Sequence, residues 1–170
     1  VAHDIRYVPP PLGSGGYQPR MPAEVVRTLA GDCKDKAMLF VVGARRLGYE
    51  AYPVLVSSGG WADRDHPSIG QVRHANAAVR RGEEPWRYVD LTADLVPHGE
   101  IPGGLQGSFG LLVRDDGAVE EVELPNTQVF ENTKYSEMAG ELLPDGSFGG
   151  RYRERAEGFP AFAMGGWNPV

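Results

Sequence analysis

Residues 31–42 have the sequence GDCKDKAMLFVV, in which a cysteine stands just before a strongly apolar run. The run predicts a buried helix that extends to about residue 47, with Asp32 as its N-cap and Gly48 just beyond its end. Cys33 is the only cysteine of the chain and would lie in the first turn. A helix N-terminus carries partial positive charge and unpaired N–H groups, which both favour a thiolate over a thiol. This placement indicates a reactive thiol.

A histidine and an aspartate further along the chain could complete a catalytic group. His74 begins a predicted strand, and Asp90 ends the next one, with a turn near Gly82 between them. Because the two strands form a hairpin, we expect both side chains at its open end. A thiolate nucleophile needs a base, and the base needs a third group to orient it. Cys33, His74 and Asp90 would supply these roles, and Asp94 is the alternative for the third.

The patterning along the chain predicts an α+β fold in two parts. A short helix over residues 22–29 and the cysteine helix accompany strands at residues 5–8, 51–57, 74–80 and 86–91. Further strands are predicted at residues 110–114, 118–124, 135–143 and 147–156, where Asp-Gly turns mark two hairpins. We therefore expect a core domain over residues 1–98, a Gly/Pro-rich linker over residues 99–106, and a small antiparallel β module over residues 107–170.

Composition argues against several classes of protein. A hydrophobic fraction of 41% and a charged fraction of 24% are ordinary for a globular domain. A net charge of −6 argues against binding to nucleic acids or anionic membranes. No apolar stretch approaches the roughly 20 residues that span a bilayer, so we expect no membrane insertion. The chain begins at Val1 with a strand pattern, which indicates a piece of a larger protein and leaves its compartment open.

No segment of the sequence predicts a cofactor or a metal. Asp63, Asp65 and His66 form a small cluster, but one imidazole and two carboxylates in a loop are a weak metal signature. The glycine-rich segment at residues 13–16 lacks the lysine and hydroxyl residue of a nucleotide-binding loop. We therefore expect neither a metal nor a cofactor.

The chain resembles the bacterial transglutaminase-like superfamily, in the branch with a GDCKDK motif. The matching segments are residues 5–7, 15–20, 31–36, 74 and 88–94, which together span roughly the first hundred residues. Residues 146–162 also resemble a β module that often follows this core. One departure is Arg73, which stands where a small amide such as Asn is expected.

The resemblance implies a papain-like α+β core, in which a helix bearing the cysteine packs on an antiparallel sheet. It implies that Cys33 is the nucleophile, His74 the base and Asp90 the orienting carboxylate. The expected reaction is acyl transfer from a peptide or protein substrate through a Cys33 thioester, with hydrolysis favoured. Transfer to an amine, as in a transglutaminase, and a non-catalytic peptide-binding or scaffold role are the alternatives. The oligomeric state stays open.

Two further features concern the surroundings of the cysteine. One oxyanion donor should be the backbone N–H of Cys33, and a side chain upstream, Gln18 or Tyr17, would supply the second. No spacing argument chooses between these two. The polar loop over residues 58–70 precedes the His74 strand and is predicted to border the cleft as a lid. Its Trp61 would be either an aromatic that faces the substrate or an anchor of the loop.

Overall fold

The computed structural model describes residues 1–9, 16–57, 61–93, 96, 100–126, 132–158 and 160 of the 170-residue chain. These residues form an α+β fold, with two α-helices and mostly antiparallel strands. It divides into two compact units, Val1–Asn126 and Thr127–Val170. Among the described residues, no helix is long and apolar enough to cross a bilayer.

The two helices lie close together in the sequence and have well-defined ends. Helix α1 spans Pro22–Thr28, begins with the predicted proline, and ends at Leu29, whose φ of 49° is left-handed. Helix α2 spans Cys33–Arg46 and has Asp32 as its N-cap, which confirms the predicted start. Gly48 follows its end with a positive φ of 84°, a backbone conformation that glycine adopts without strain.

A short parallel pair of strands precedes α2. Strand β1, Arg6–Tyr7, pairs with strand β2, Ala30–Gly31, so that Tyr7 lies opposite Gly31. Strand β2 was not predicted, since two residues carry no periodicity. A Cβ atom at Gly31 would lie 2.9 Å from the Cβ of Asp35, so only glycine fits at this point against the first turn of α2.

The main sheet has five antiparallel strands in the order β5-β4-β3-β6-β7. Their bounds are Glu50–Val56 for β3, His74–Arg80 for β4, Arg87–Val89 for β5, Phe109–Val113 for β6 and Val119–Glu123 for β7. Short 3₁₀ helices lie at Ile69–Gln71 and Gly103–Leu105. Each of these strands lies within two residues of its predicted bounds at either end.

Each face of this sheet is covered by a different hydrophobic cluster. Helix α2 covers one face through Val41 and Ala44, which pack with residues of β3 and β4. The opposite face packs against Ile101 and Leu105 from the segment before β6. The predicted burial of α2 holds only in part, because Leu39 and Phe40 are only partly buried. Both line an open, mostly apolar cavity of about 740 Å³.

The expected domain boundaries do not match the structure. Strand β6 pairs directly with β3, and Leu112 and Leu124 are buried in the same cluster as Val54. Residues 100–126 therefore belong to the first unit, so the core does not end at residue 98 and the β module does not begin at residue 107. The Gly/Pro-rich segment that was predicted to be a linker also contains Ile101 and Leu105, which are buried in this cluster.

The second unit contains a β-hairpin. Strand β8, Thr133–Leu142, pairs with strand β9, Phe148–Glu157, around the predicted Asp-Gly turn, where Gly146 has a φ of 84°. All residues of β8 and nearly all of β9 are exposed. The hairpin thus confirms the two strands that were predicted here.

Candidate active site

The fold brings Cys33, His74 and Asp90 together. Cys33 is the first residue of α2, His74 is the first residue of β4, and Asp90 directly follows β5. In the β4–β5 pairing, Ala77 lies opposite Val89, so the end of β5 lies near the start of β4. The His74 Nε2 atom lies 3.1 Å from Asp90 Oδ2. Cys33 lies close enough to the imidazole to help raise its pKa.

The His74 imidazole is held between two groups that favour its protonated form. Its side chain is 18% exposed, and burial by itself would lower its pKa. The hydrogen bonds and the charges of Asp90 and Cys33 outweigh burial and raise the pKa of His74 from 6.5 to about 9. Nε2 is occupied by Asp90, so Nδ1 is the ring nitrogen without a contact to that carboxylate. The imidazole is therefore a cation at neutral pH.

Asp90 is buried, and both of its carboxylate oxygens have hydrogen-bonding partners. Its Oδ2 contacts His74, while its Oδ1 accepts hydrogen bonds of 2.8 Å from both the backbone N–H and the hydroxyl of Thr92. Burial by itself would raise its pKa, but the bond and charge of His74 and the two bonds from Thr92 hold it below the usual range. The carboxylate can thus orient the ring while it remains ionised. The alternative, Asp94, lies outside the described residues.

The start of α2 fixes the position of the thiol. Asp32 accepts a hydrogen bond of 3.2 Å from the backbone N–H of Asp35, and Asp35 accepts one of 3.2 Å from that of Asp32. This reciprocal capping box encloses Cys33 and Lys34, and Cys33 is partly exposed. The backbone N–H of Cys33 lies in the first turn, where no intrahelical acceptor exists. It is therefore available to a developing oxyanion.

The two predicted side-chain oxyanion donors are both exposed. Tyr17 is 73% exposed, and Gln18 is also at the surface. Neither side chain has a hydrogen bond within the described part of the chain. The structure therefore does not tie either one to the Cys33–His74–Asp90 group, and their proposed role stays a prediction.

The sequence interpretation missed Tyr7. Pairing of β1 with β2 places Tyr7 opposite Gly31, two residues before Cys33. Partial burial, followed by the negative charges of Cys33, Asp32 and Asp90, raises the pKa of Tyr7 above its usual value. Its phenol therefore lies within the electrostatic field of the site. Tyr7 falls within a segment that matched the transglutaminase-like pattern, but no spacing argument connected it to the cysteine.

Trp61 lies beside strands β6 and β7. It is 73% exposed, and its carbonyl accepts a 2.7 Å hydrogen bond from Ser57. A cavity of about 400 Å³ beside it is lined by residues of β6, β7 and the loop, and by none of Cys33, His74 and Asp90.

The rest of the described loop is tied to the same strands. Arg64 donates to Glu121 at 2.7 Å and covers the ring of Phe109 at 5.4 Å. These contacts anchor the described part of the loop to β6 and β7, and they do not support the predicted lid. Residues 58–60, which contain its glycine pair, lie outside the described residues.

Within the described ranges, no group of three or more histidine, cysteine, aspartate and glutamate residues is placed to hold a metal ion. His66 and Asp63 form an exposed pair, with 3.0 Å between His66 Nδ1 and Asp63 Oδ2. The pair shares with His74 and Asp90 a direct contact of an imidazole with a carboxylate, but it has no thiol partner.

No family model matches the chain, and comparisons with curated proteins and with solved structures also found no match. The resemblance to the transglutaminase-like superfamily therefore stays a prediction.

Proposed function

We propose that this chain catalyses thiol-dependent acyl transfer on a peptide or amide substrate, with Cys33 as nucleophile and water as the final acceptor. The papain-like architecture expected from the resemblance is part of the proposal. The observation that carries it is a partly buried imidazole that contacts a carboxylate and whose pKa is raised by that carboxylate and by the chain's only thiol. Such a constellation is recognised by geometry and roles, whatever the order of its members in the sequence.

The proposed reaction uses each member of the group in turn. The Cys33 thiolate forms a bond to the substrate carbonyl carbon, and the resulting oxyanion accepts a hydrogen bond from the Cys33 backbone N–H. The His74 imidazolium donates its proton to the leaving nitrogen as the C–N bond breaks, which leaves a thioester and a neutral imidazole. The imidazole then takes a proton from water, which attacks the thioester and releases the acid and the thiolate.

Asp90 has a supporting role in both half-reactions. Its Oδ2 accepts from Nε2, which keeps the opposite ring nitrogen directed to the sulfur and stabilises the cationic ring. Replacement by asparagine keeps the shape but favours the other tautomer. In serine enzymes, the equivalent change costs about four orders of magnitude in rate.

The experiment that tests the proposal is the rate of Cys33 alkylation by iodoacetamide between pH 5.5 and 9.5. We expect alkylation well below pH 8.5, the approximate pKa of a free thiol, because the His74 imidazolium stabilises the thiolate. His74→Ala should remove this reactivity at neutral pH, and Asp90→Asn should reduce it. His66→Ala is the matched control, since it removes the exposed imidazole–carboxylate pair. A profile that His74→Ala leaves unchanged would contradict the assignment.

A second measurement identifies the acceptor. A protein substrate is incubated with the enzyme in water alone and with a fluorescent primary amine, and products are followed by mass spectrometry. Hydrolysis predicts cleaved or deamidated products whose yield the amine hardly changes, and Cys33→Ala abolishes them. Incorporation of the amine into the substrate would identify a transglutaminase instead. A reactive Cys33 without either product in a broad substrate panel would favour the peptide-binding role.

A further inference from the structure

Arg20 makes a set of contacts with the helix start that the proposed reaction does not yet use. Its backbone N–H donates to Asp35 Oδ1 at 2.7 Å, and its Nε donates to Asp35 Oδ2 at 2.9 Å. A second guanidinium nitrogen donates to the carbonyl of Ala30 at 2.9 Å. Arg20 thus contacts both oxygens of the Asp35 carboxylate, which lies 15 positions later in the chain, and the backbone of β2.

Asp35 is the group through which these contacts reach the thiol. Its side chain is 2% exposed, and it shares the reciprocal capping hydrogen bonds with Asp32 on either side of Cys33. Burial by itself would raise the pKa of Asp35. The bonds from the backbone and side chain of Arg20, and from the Asp32 N–H, outweigh burial and hold the pKa below the usual range. Asp35 is therefore a permanent negative charge two residues from the nucleophile.

That charge opposes a thiolate unless a cation balances it. Like charges at short range disfavour each other, and the interaction is stronger where water is excluded. Arg20 supplies the balance, since it is the only cation that the described structure places in hydrogen-bonding contact with Asp35. The other ionisable groups around the helix start and its neighbours are Tyr7, Glu24, Asp32, Lys34, Lys36, His74 and Asp90.

We propose that Arg20 is a positioning residue for the Cys33 thiolate, which neutralises Asp35 and clamps the first turn of α2 against β2. This inference rests on the proposed function and adds a specific electrostatic role to a residue outside the Cys33–His74–Asp90 group. Arginine suits the position because its planar fork reaches a carboxylate and a carbonyl at once.

The test compares iodoacetamide alkylation of Cys33 as a function of pH in the full chain and its variants. Arg20→Gln removes the cation, while the Asp32 N–H and the Arg20 backbone N–H still hold Asp35 ionised. Its profile should shift to higher pH by about half a unit or more, with a several-fold slower reaction at pH 7. Arg20→Lys keeps the charge without the fork and should shift the profile less.

A double variant separates charge balance from simple loss of structure. Arg20→Gln/Asp35→Asn removes both charges together, so the pH profile should return to within about 0.3 units of the parent, although the unfolding temperature stays low. If Arg20 is only structural, the double variant keeps the shifted profile of Arg20→Gln, and the proposal is overturned. An unshifted profile in Arg20→Gln itself also overturns it.

Arg45→Gln is the matched control. The side chain of Arg45 is 35% exposed, against 38% for Arg20. Like Arg20, it donates hydrogen bonds to a carboxylate, that of Asp115, and to a backbone carbonyl, that of Ala51. It lies in the last turn of α2, and its loss should lower stability without moving the pH profile. His74→Ala distinguishes the two proposals. If it slows alkylation while Arg20→Gln does nothing, only the role of Arg20 fails.

Discussion

His74 illustrates how the buried surroundings of one side chain decide its protonation. Burial alone would make this imidazole neutral, yet Asp90 and Cys33 raise its pKa to about 9. The carboxylate remains ionised because Thr92 gives it two further hydrogen bonds. The outcome at neutral pH is an imidazolium, which is the protonated state that a proton donor to a leaving amine requires.

The raised pKa of His74 predicts a pH-dependent contribution to stability. An imidazole with a pKa of 6.5 when unfolded and about 9 when folded binds its proton more tightly in the folded state. The extra stability, about 3 kcal/mol at most, is fully present below about pH 6.5 and is lost as the pH rises through about 9. Denaturant unfolding at pH 6, 7.5 and 9.5 should show that the stability advantage of the parent over His74→Ala shrinks with rising pH.

The Asp90→Asn variant checks the cause of this effect. Without the carboxylate, the imidazolium loses the partner that lies 3.1 Å away, so the pH-dependent part should be much smaller. A stability difference between the parent and His74→Ala that stays constant from pH 6 to 9.5 would contradict the ion-pair interpretation.

Local patterns predicted that Cys33, His74 and Asp90 belong together, but they did not predict the surroundings of this group. Cys33 was predicted from a capping residue and an apolar helix, and His74 and Asp90 from two strands joined by a tight turn, which are all short-range signals. Tyr7 and Arg20 reach the site through contacts with residues 24 and 15 positions away, Gly31 and Asp35. Such long-range contacts leave no periodic trace in the sequence.

At the scale of single elements, replacing a glycine by alanine should have opposite effects on stability at two positions. Gly43 lies in α2, where an added Cβ would have nothing within 4 Å, whereas a Cβ at Gly110 of β6 would lie 3.0 Å from Val54 and 3.1 Å from Val122. Gly43→Ala should stabilise the protein by about 0.5–1 kcal/mol, because alanine favours the helix. Gly110→Ala should destabilise it by about 1–3 kcal/mol through overpacking.

Thermal and denaturant unfolding of the two variants would measure both effects, with the parent as reference. The pair is informative because the chemical change is the same in each. If Gly110→Ala were as stable as the parent, the close packing of β6 between β3 and β7 would be wrong. If Gly43→Ala were destabilising, the open environment of this part of α2 would be wrong.

Turn chemistry predicted the hairpins well, but it could not predict how they pair with the rest of the protein. The Asp-Gly turns at Gly117 and Gly146 both form as expected, with positive φ angles. The hairpin at Gly117 nevertheless joins the main sheet through β6 and β3, whereas among the described strands β8 pairs with β9 in a two-stranded sheet. Both hairpins have the same local pattern. Whether a hairpin joins the main sheet therefore depends on how its apolar side chains pack, which the turn sequence does not specify.

At the scale of the whole molecule, the core of the first unit depends on residues from the middle and from the end of its sequence. Its core combines Val54 and Val56 from β3 with Leu112 and Leu124, which are separated from them by more than fifty residues. Between these two groups, Ile101 and Leu105 cover the sheet face that α2 leaves open. The unit should therefore fold only when the chain extends through β7.

Two truncated chains test this dependence. A chain of residues 1–126 retains every element of the first unit, and we expect it to unfold cooperatively and to keep the Cys33 alkylation profile of the full protein. A chain of residues 1–106 ends where the composition had predicted a linker. It lacks β6 and β7 and loses the buried leucines at 112 and 124, each of which contributes about 1.5–3 kcal/mol. Total stabilities are typically about 5–15 kcal/mol, and the edge of β3 that pairs with β6 would have no partner. This chain should therefore lack a cooperative thermal transition by circular dichroism. Cooperative unfolding of both chains with equal midpoints would mean that β6 and β7 are dispensable, and that the boundary lies before them after all.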